Sequence, residues 1–314
     1  MKQQRNTREY VKLAAKGMAM GAADAVPGVS GGTVAFMTGI YEELIYSLRQ
    51  FDIDALKLVF TGKLKQAWNH VNGNFLITLL SGILLSLVGL ASGVLYLLEH
   101  YPVLLWAFFF GLIFASTWSL ARHVDGWNAD RISVFGIGVV IAYLITSMSP
   151  AAVEPTTLMI FLSGMIAICA MILPGISGSF ILLLLGMYTP ILGAIKALEI
   201  NTLLLFAVGC GIGLLSFSRV LNWAFSHHKT MTLALLGGFM LGSLNKVWPW
   251  KYTSAYTINR HGEEVPLVQD NVLPMSYQDM TGQEPYLVAA LALMAVGFVL
   301  VILLDRRPAK VEQV

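Results

Sequence analysis

The sequence predicts an all-α, polytopic membrane protein, on three grounds. Of its 314 residues 56% are hydrophobic and 12% charged, about half the charged share of an ordinary soluble domain. The apolar residues run in blocks close to the ≈20 residues that an α-helix needs to cross a bilayer core, without the period-two alternation of barrel strands. Two apolar regions are interrupted midway by a Pro-Gly-x-Ser-Gly motif. Such a chain is not a soluble enzyme or a disordered tail, and a formal net charge of +2 provides no basic face for nucleic acid.

The first apolar region, 10–48, breaks at Pro27-Gly28-Val29-Ser30-Gly31-Gly32. Its charged start resembles a signal peptide, but Asp24 and Pro27 interrupt any hydrophobic core of one. Each arm would be a little short of a full crossing, so the region reads as a hairpin that enters and leaves on one side. Irregular backbone at that depth must be covered by protein or face a water-filled cavity. Residues 52–73 mix polar and charged side chains with Leu56, Val59, Phe60, Leu64 and Trp68, the pattern of a helix lying on the cytoplasmic surface. Spans are expected at Asn74 to Leu98, Val103 to Ala121 and Ile132 to Ser149. A second hairpin, 157–198, breaks at Pro174-Gly175-Ile176-Ser177-Gly178. Spans at Thr202 to Ser226, Thr230 to Asn245 and Tyr286 to Leu304 follow.

These elements divide the chain into a first repeat, 1–121, with a linking span in 122–156, and a second repeat, 157–246. An external loop, 247–285, leads to a C-terminal span and tail, 286–314. With both termini cytoplasmic, 16 of the 20 Lys and Arg residues fall on the cytoplasmic side. Lys196, Lys246, Lys251 and Arg260 fall on the other, whose long loop carries Glu263, Glu264, Asp270, Asp279 and Glu284. The positive-inside rule favours that orientation.

The hairpins match each other. A shift of 147 residues aligns Gly17 with Gly164, Pro27-Gly28 with Pro174-Gly175, Ser30-Gly31 with Ser177-Gly178, Gly39 with Gly186 and Tyr41 with Tyr188. Beyond the surface helix the shift becomes 127 and pairs Gly82, Ala107, Gly111 and Ser116 with Gly209, Ala234, Gly238 and Ser243. Three crossings separate the hairpins, so the repeats are expected to be inverted. Transporters with inverted repeats hold anionic groups on interrupted helices whose free N-termini face the ligand. Here Ser30, Gly31, Gly32 and Thr33, with Ser177, Gly178 and Ser179, are the expected phosphate- or carboxylate-binding residues. Their amides would be first-turn donors at a positive helix end, and Pro27, Gly28, Pro174 and Gly175 would form the loops. A lone motif of this kind would be a capped helix break; its recurrence in corresponding places favours function.

The stretches GAADAVPGVSGGT, TGIYEELI and LPGISGSFILLLLGMY resemble the bacterial polyprenyl-phosphate transporter family, formerly catalogued as a domain of unknown function. The resemblance extends roughly from the start of the chain through the second repeat. It implies a flippase in the bacterial cytoplasmic membrane that returns undecaprenyl phosphate, the carrier lipid of cell-envelope synthesis, from the outer to the cytoplasmic leaflet. The second motif departs from the first: Gly32-Thr33 becomes Ser179-Phe180, and Asp24 becomes Met171.

Among the remaining polar residues, Asp24 is the one acid well inside a hairpin arm and reads either as the carrier of a coupling H+ or Na+ or as a hydrogen-bond acceptor for the loop amides. Glu42 is the next coupling candidate. Arg219 and Arg122 come late in their spans and are expected to snorkel to the interface, direct phosphate contact being the alternative. Cys169 and Cys210 read as small core residues, and the histidines show no paired ligand spacing, so neither metal nor other cofactor is expected. The Gly238-xxx-Gly242 pair and Gly209, Gly211 and Gly213 suit close helix packing within the chain first and a homodimer contact second. Two other functions share some of these features: an ion-coupled carrier or channel for a small soluble anion, and an intramembrane phosphatase or transferase, for which no nucleophile–base pair is present.

Overall fold

The computed structural model describes residues 5–24, 26, 29–150, 154–258 and 264–305. The expected N-terminal residues 1–4, the loop residues Pro27 and Gly28, and the tail from 306 onward lie outside the described residues. Within them the chain is mostly helical, as expected.

The first hairpin comprises α1 (Thr7–Asp24), α2 (Gly31–Met37) and α3 (Tyr41–Arg49). Its second arm is therefore two short helices rather than one. Gly39, with φ of +70°, supplies the left-handed residue that ends α2. The amides of Ile40 and Gly39 return to the Ala35 and Phe36 carbonyls, which is a Schellman closure. From α1, Lys16 Nζ donates to the Thr38 carbonyl at 2.6 Å, satisfying another orphan acceptor of that helix end. The expected surface helix is likewise divided at Gly62, into α4 (Ile53–Phe60) and α5 (Leu64–His70). Ile53, Leu56, Phe60, Leu64 and Trp68 leave its apolar side exposed, as a helix lying on a bilayer would.

The first expected span is interrupted at Leu90, beside Gly89, giving α6 (Gly73–Gly89) and α7 (Ala91–His100). Then come α8 (Pro102–Arg122) and α9 (Ala129–Ser147), each an uninterrupted helix of crossing length. The second hairpin repeats the first: α10 (Thr157–Ile172), α11 (Gly178–Leu184) and α12 (Tyr188–Ala197). Gly186, φ +68°, ends α11 with the same pair of closing bonds, from Met187 to Leu182 and from Gly186 to Leu183, and α12 turns away by 111°. Two expected spans form α13 (Ile200–Ser243), whose single non-helical residue, His228, marks their junction. The external loop contains an antiparallel hairpin, β1 (Lys251–Ile258) and β2 (Glu264–Asn271), followed by α14 (Pro274–Thr281). The last span is α15 (Leu287–Asp305).

Backbone-to-backbone packing at glycine recurs in corresponding places. A Cβ on Gly17 or Gly82 would overlap the carbonyl oxygen of Leu79 or Ala14, binding α1 to α6. The residues related by the two shifts, Gly164 against Phe206 and Gly209 against Phe161, bind α10 to the first half of α13. The recurrence continues further than the sequence similarity. Gly111 of α8 meets the Met294 carbonyl, and Gly297 meets that of Phe108; Gly238 of α13 meets Phe135, and Gly138 meets Leu235. Helices α9 and α15 thus occupy equivalent positions, each packed on the span that precedes the other: α9 on the second half of α13 and α15 on α8. Gly242 joins this seam against Val139 and Gly213 meets the Met165 carbonyl, whereas Gly211 faces open space, so four of the five glycines expected at these faces pack inside the chain.

Because the atoms opposed to Gly82 are backbone, no rotamer change can relieve a larger side chain. Gly82→Val is expected to lower the thermal midpoint in detergent, with a destabilisation of about 1–3 kcal/mol or more. Gly211→Val, at an open site, is the matched control and should leave the midpoint near wild type.

Candidate functional site: two interlocked loops

The two interrupted hairpins meet. Ser30 is the N-cap of α2, its Oγ accepting from the Gly32 amide at 3.1 Å. The same hydroxyl faces the carbonyls of Met171 and Leu173 in the other hairpin at 3.3 and 3.2 Å. Thr33 Oγ1 accepts from the Gly175 amide at 2.9 Å, joining the first turn of α2 to the second loop. Ser30, Thr33 and Ser177 are buried. The chain approaches so closely here that a Cβ on Gly32 would stand 2.7 Å from the Ile172 carbonyl oxygen. Gly175, at φ +88°, takes a conformation that side chains rarely adopt and lies against Met240 and Ser243 of α13.

The loops are not equally open. Gly31 donates to Asp24 Oδ1 at 2.7 Å and Gly32 donates to Ser30, so two expected donors of the first loop already have acceptors. A carboxylate at the positive end of a helix is itself a well-placed anion. Of the two readings of Asp24, the structure thus displays the hydrogen bond to the loop. In the second loop the residue corresponding to Asp24 is Met171. Ser177 does not cap α11; its hydroxyl lies 2.9 Å from that of Ser179. Among the described residues the amides of Gly178 and Ser179 have no acceptor. Gly178 packs on α10, where a Cβ would stand 2.7 Å from the Ala167 carbonyl oxygen.

The remaining candidates lie elsewhere. Glu42, in α3 and more than half exposed, pairs with Lys229 beside the α13 junction at 2.7 Å, so it is placed at a surface and away from the loop. Its neighbour Glu43 is held by Arg5 and by Asn72 Nδ2 at 3.0 Å. Arg219 is exposed, with its guanidinium 3.4 Å from the carbonyls of Leu215 and Phe51, and Arg122 is exposed in the last turn of α8. Arg122 ends α8, and Arg219, within α13, is directed to the Leu215 and Phe51 carbonyls, so neither is hydrogen-bonded to the loops.

A feature the sequence reading missed lies beside the second loop. A cavity of about 320 Å3 is bounded by the end of α9, the turn after α13, β2 and Phe180 of α11. It contains Lys246 and Lys251. The signal available in sequence was two lysines five residues apart on a face otherwise short of basic residues.

Long helices with exposed apolar faces, arranged around two interlocked hairpins, define a multi-pass helical membrane protein. The chain belongs to the undecaprenyl phosphate translocase-like family, which matches residues 20–265. It is 47% identical over 304 residues to a protein of Vibrio cholerae serotype O1 named polyprenyl-phosphate transporter, covering 97% of this chain and 99% of that one. A Staphylococcus aureus protein of the same name is 34% identical over 252 residues, 74% of this chain and 84% of its own. No solved structure matches the chain.

Proposed function

We propose that the protein moves undecaprenyl phosphate from the outer to the cytoplasmic leaflet of the bacterial cytoplasmic membrane, recycling the carrier lipid without chemical change. The observation that carries this reading is the junction of the two loops, where Thr33 and Gly175 and Ser30 and Leu173 bring one interrupted helix from each half of the chain together. That arrangement suits a single phosphate handed between two inversely oriented half-sites, with both termini on the cytoplasmic side. The names of the relatives support a polyprenyl phosphate as the substrate.

The unequal loops suggest a division of labour. The Gly178 and Ser179 amides would receive the phosphate, while Asp24 occupies the first loop when substrate is absent. An arriving phosphate competes with the Asp24 carboxylate for the Gly31 amide, so substrate and carboxylate exchange places. Moving a negative headgroup toward a negative interior costs about 2.3 kcal/mol per charge per 100 mV, and a proton or Na+ carried on the displaced Asp24 would offset it. Glu42 remains the second candidate for that role.

The decisive experiment reconstitutes the purified chain in liposomes and compares leaflet exchange of undecaprenyl phosphate with uptake of small soluble anions. Rapid exchange with no anion uptake is expected. Anion uptake without lipid exchange would replace this reading with that of a soluble-anion carrier.

A further inference from the structure

The cavity beside the second loop combines charge, burial and access. Lys251 is only 9% exposed and donates from Nζ to the Lys246 carbonyl at 2.6 Å, with the ammonium 3.8 Å from the centroid of Trp106. Lys246 Nζ lies 4.4 Å from the centroid of Phe180, in the first turn of α11. Among the described residues neither lysine has a carboxylate within 4.0 Å, although Asp270 lines the same cavity. Burial lowers the pKa of both, and the Lys246 charge lowers that of Lys251 further. Burial thus opposes charge on both amines, with Asp270 beyond pairing distance, and an anion between them would restore it.

The remaining lining fits that anion. Thr146, Ser147, Ser149, Asn245 and Asn271 add hydroxyl and amide groups. Met148 and Tyr143 also line the cavity, and both are largely exposed beside Val140 and Leu144 on the outer face of α9. The cavity is therefore polar within and adjoins an apolar helix face at its rim. A lipid phosphate needs both: a wet pocket for the head and an apolar surface along which the chain stays in the bilayer.

We propose that this cavity is the docking site where the phosphate monoester of an isoprenoid lipid is captured, with Lys246 as its direct contact, before passing Phe180 to the second loop. This rests on the transport reading above and names a binding step within it. Lys251 is a positioning residue: its bond to the Lys246 carbonyl fixes the turn that carries Lys246.

The test measures binding of farnesyl phosphate and of inorganic phosphate to the purified full chain in detergent, with leaflet exchange of undecaprenyl phosphate measured separately. Lys246→Gln and Ser149→Asp, the latter adding a negative charge at an exposed part of the lining, should each weaken farnesyl phosphate by at least about tenfold, the scale of one charge-assisted hydrogen bond. Lys246→Arg should retain most of the affinity, and thermal midpoints should not move. Unchanged farnesyl phosphate binding in both weakened variants overturns the proposal. Equal affinity for inorganic phosphate and farnesyl phosphate overturns the lipid part, leaving a free-anion site. If the wild-type chain binds farnesyl phosphate through Lys246 but exchanges no lipid, the docking site stands and the transport reading fails.

Discussion

Asp24→Asn is expected to keep the fold and substrate binding while transport loses its response to an imposed proton or Na+ gradient. The side-chain oxygen of asparagine can still accept from the Gly31 amide, so the geometry at 2.7 Å survives and only the charge disappears. Asp24→Ala differs, because it strands a buried donor at a cost of about 1–3 kcal/mol, and should also lower the thermal midpoint. Comparing the two variants in proteoliposomes, with and without an imposed gradient, separates a coupling role from a purely structural one. A gradient response in Asp24→Asn equal to wild type would leave Asp24 as a structural acceptor and move attention to Glu42.

Gly31→Val and Gly178→Val are both expected to abolish lipid exchange, yet for different reasons. At Gly31 the obstruction is the Asp24 carboxylate, the movable end of a side chain, so even Gly31→Ala should evict it from the amide. Measured without an imposed gradient, where coupling plays no part, removing the charge of the evicted carboxylate should add little. The double variant Gly31→Ala with Asp24→Asn should therefore be about as impaired as the worse single variant, a strongly non-additive result. At Gly178 the obstruction is the Ala167 backbone carbonyl, which cannot rotate away. Gly178→Val should accordingly reduce thermal stability as well as transport, whereas Gly31→Ala should affect transport first. Additive losses in exchange rate at Gly31 and Asp24 would mean that the two act independently.

The sequence displayed the elements that depend on local pattern. Apolar length located the spans, and the duplicated Pro-Gly-x-Ser-Gly located the two loops. The left-handed turns at Gly39 and Gly186 were present as Gly-Ile-Tyr and Gly-Met-Tyr, but were read as alignment marks inside continuous arms. Each is a helix stop whose closing bonds are invisible until the backbone is folded. The β-hairpin of the external loop was missed because its acidic and polar residues obscured the Tyr- and Thr-rich alternation of Lys251–Ile258. What sequence could not supply was partnership. Asp24 as an acceptor for the loop amides was one of two readings the sequence left open, but nothing in the order of residues says that Thr33 meets Gly175 or that Lys246 lies over Phe180.

The crossed placement of α9 and α15 bears on how the chain is made. Synthesis delivers α8 early, but the helix that fills its glycine seam, with Met294 against Gly111 and Gly297 against Phe108, emerges after all the other described helices. The first half must therefore wait in the membrane with an open groove while the second half, whose partner α9 is already present, can close as it emerges. Of these two seams, that of α9 with α13 can close before that of α8 with α15, and α15 acts as the latch. A nascent chain arrested before α15 would hold a finished second seam and an unfinished first, so quality control has one exposed groove on α8 by which to recognise incomplete protein.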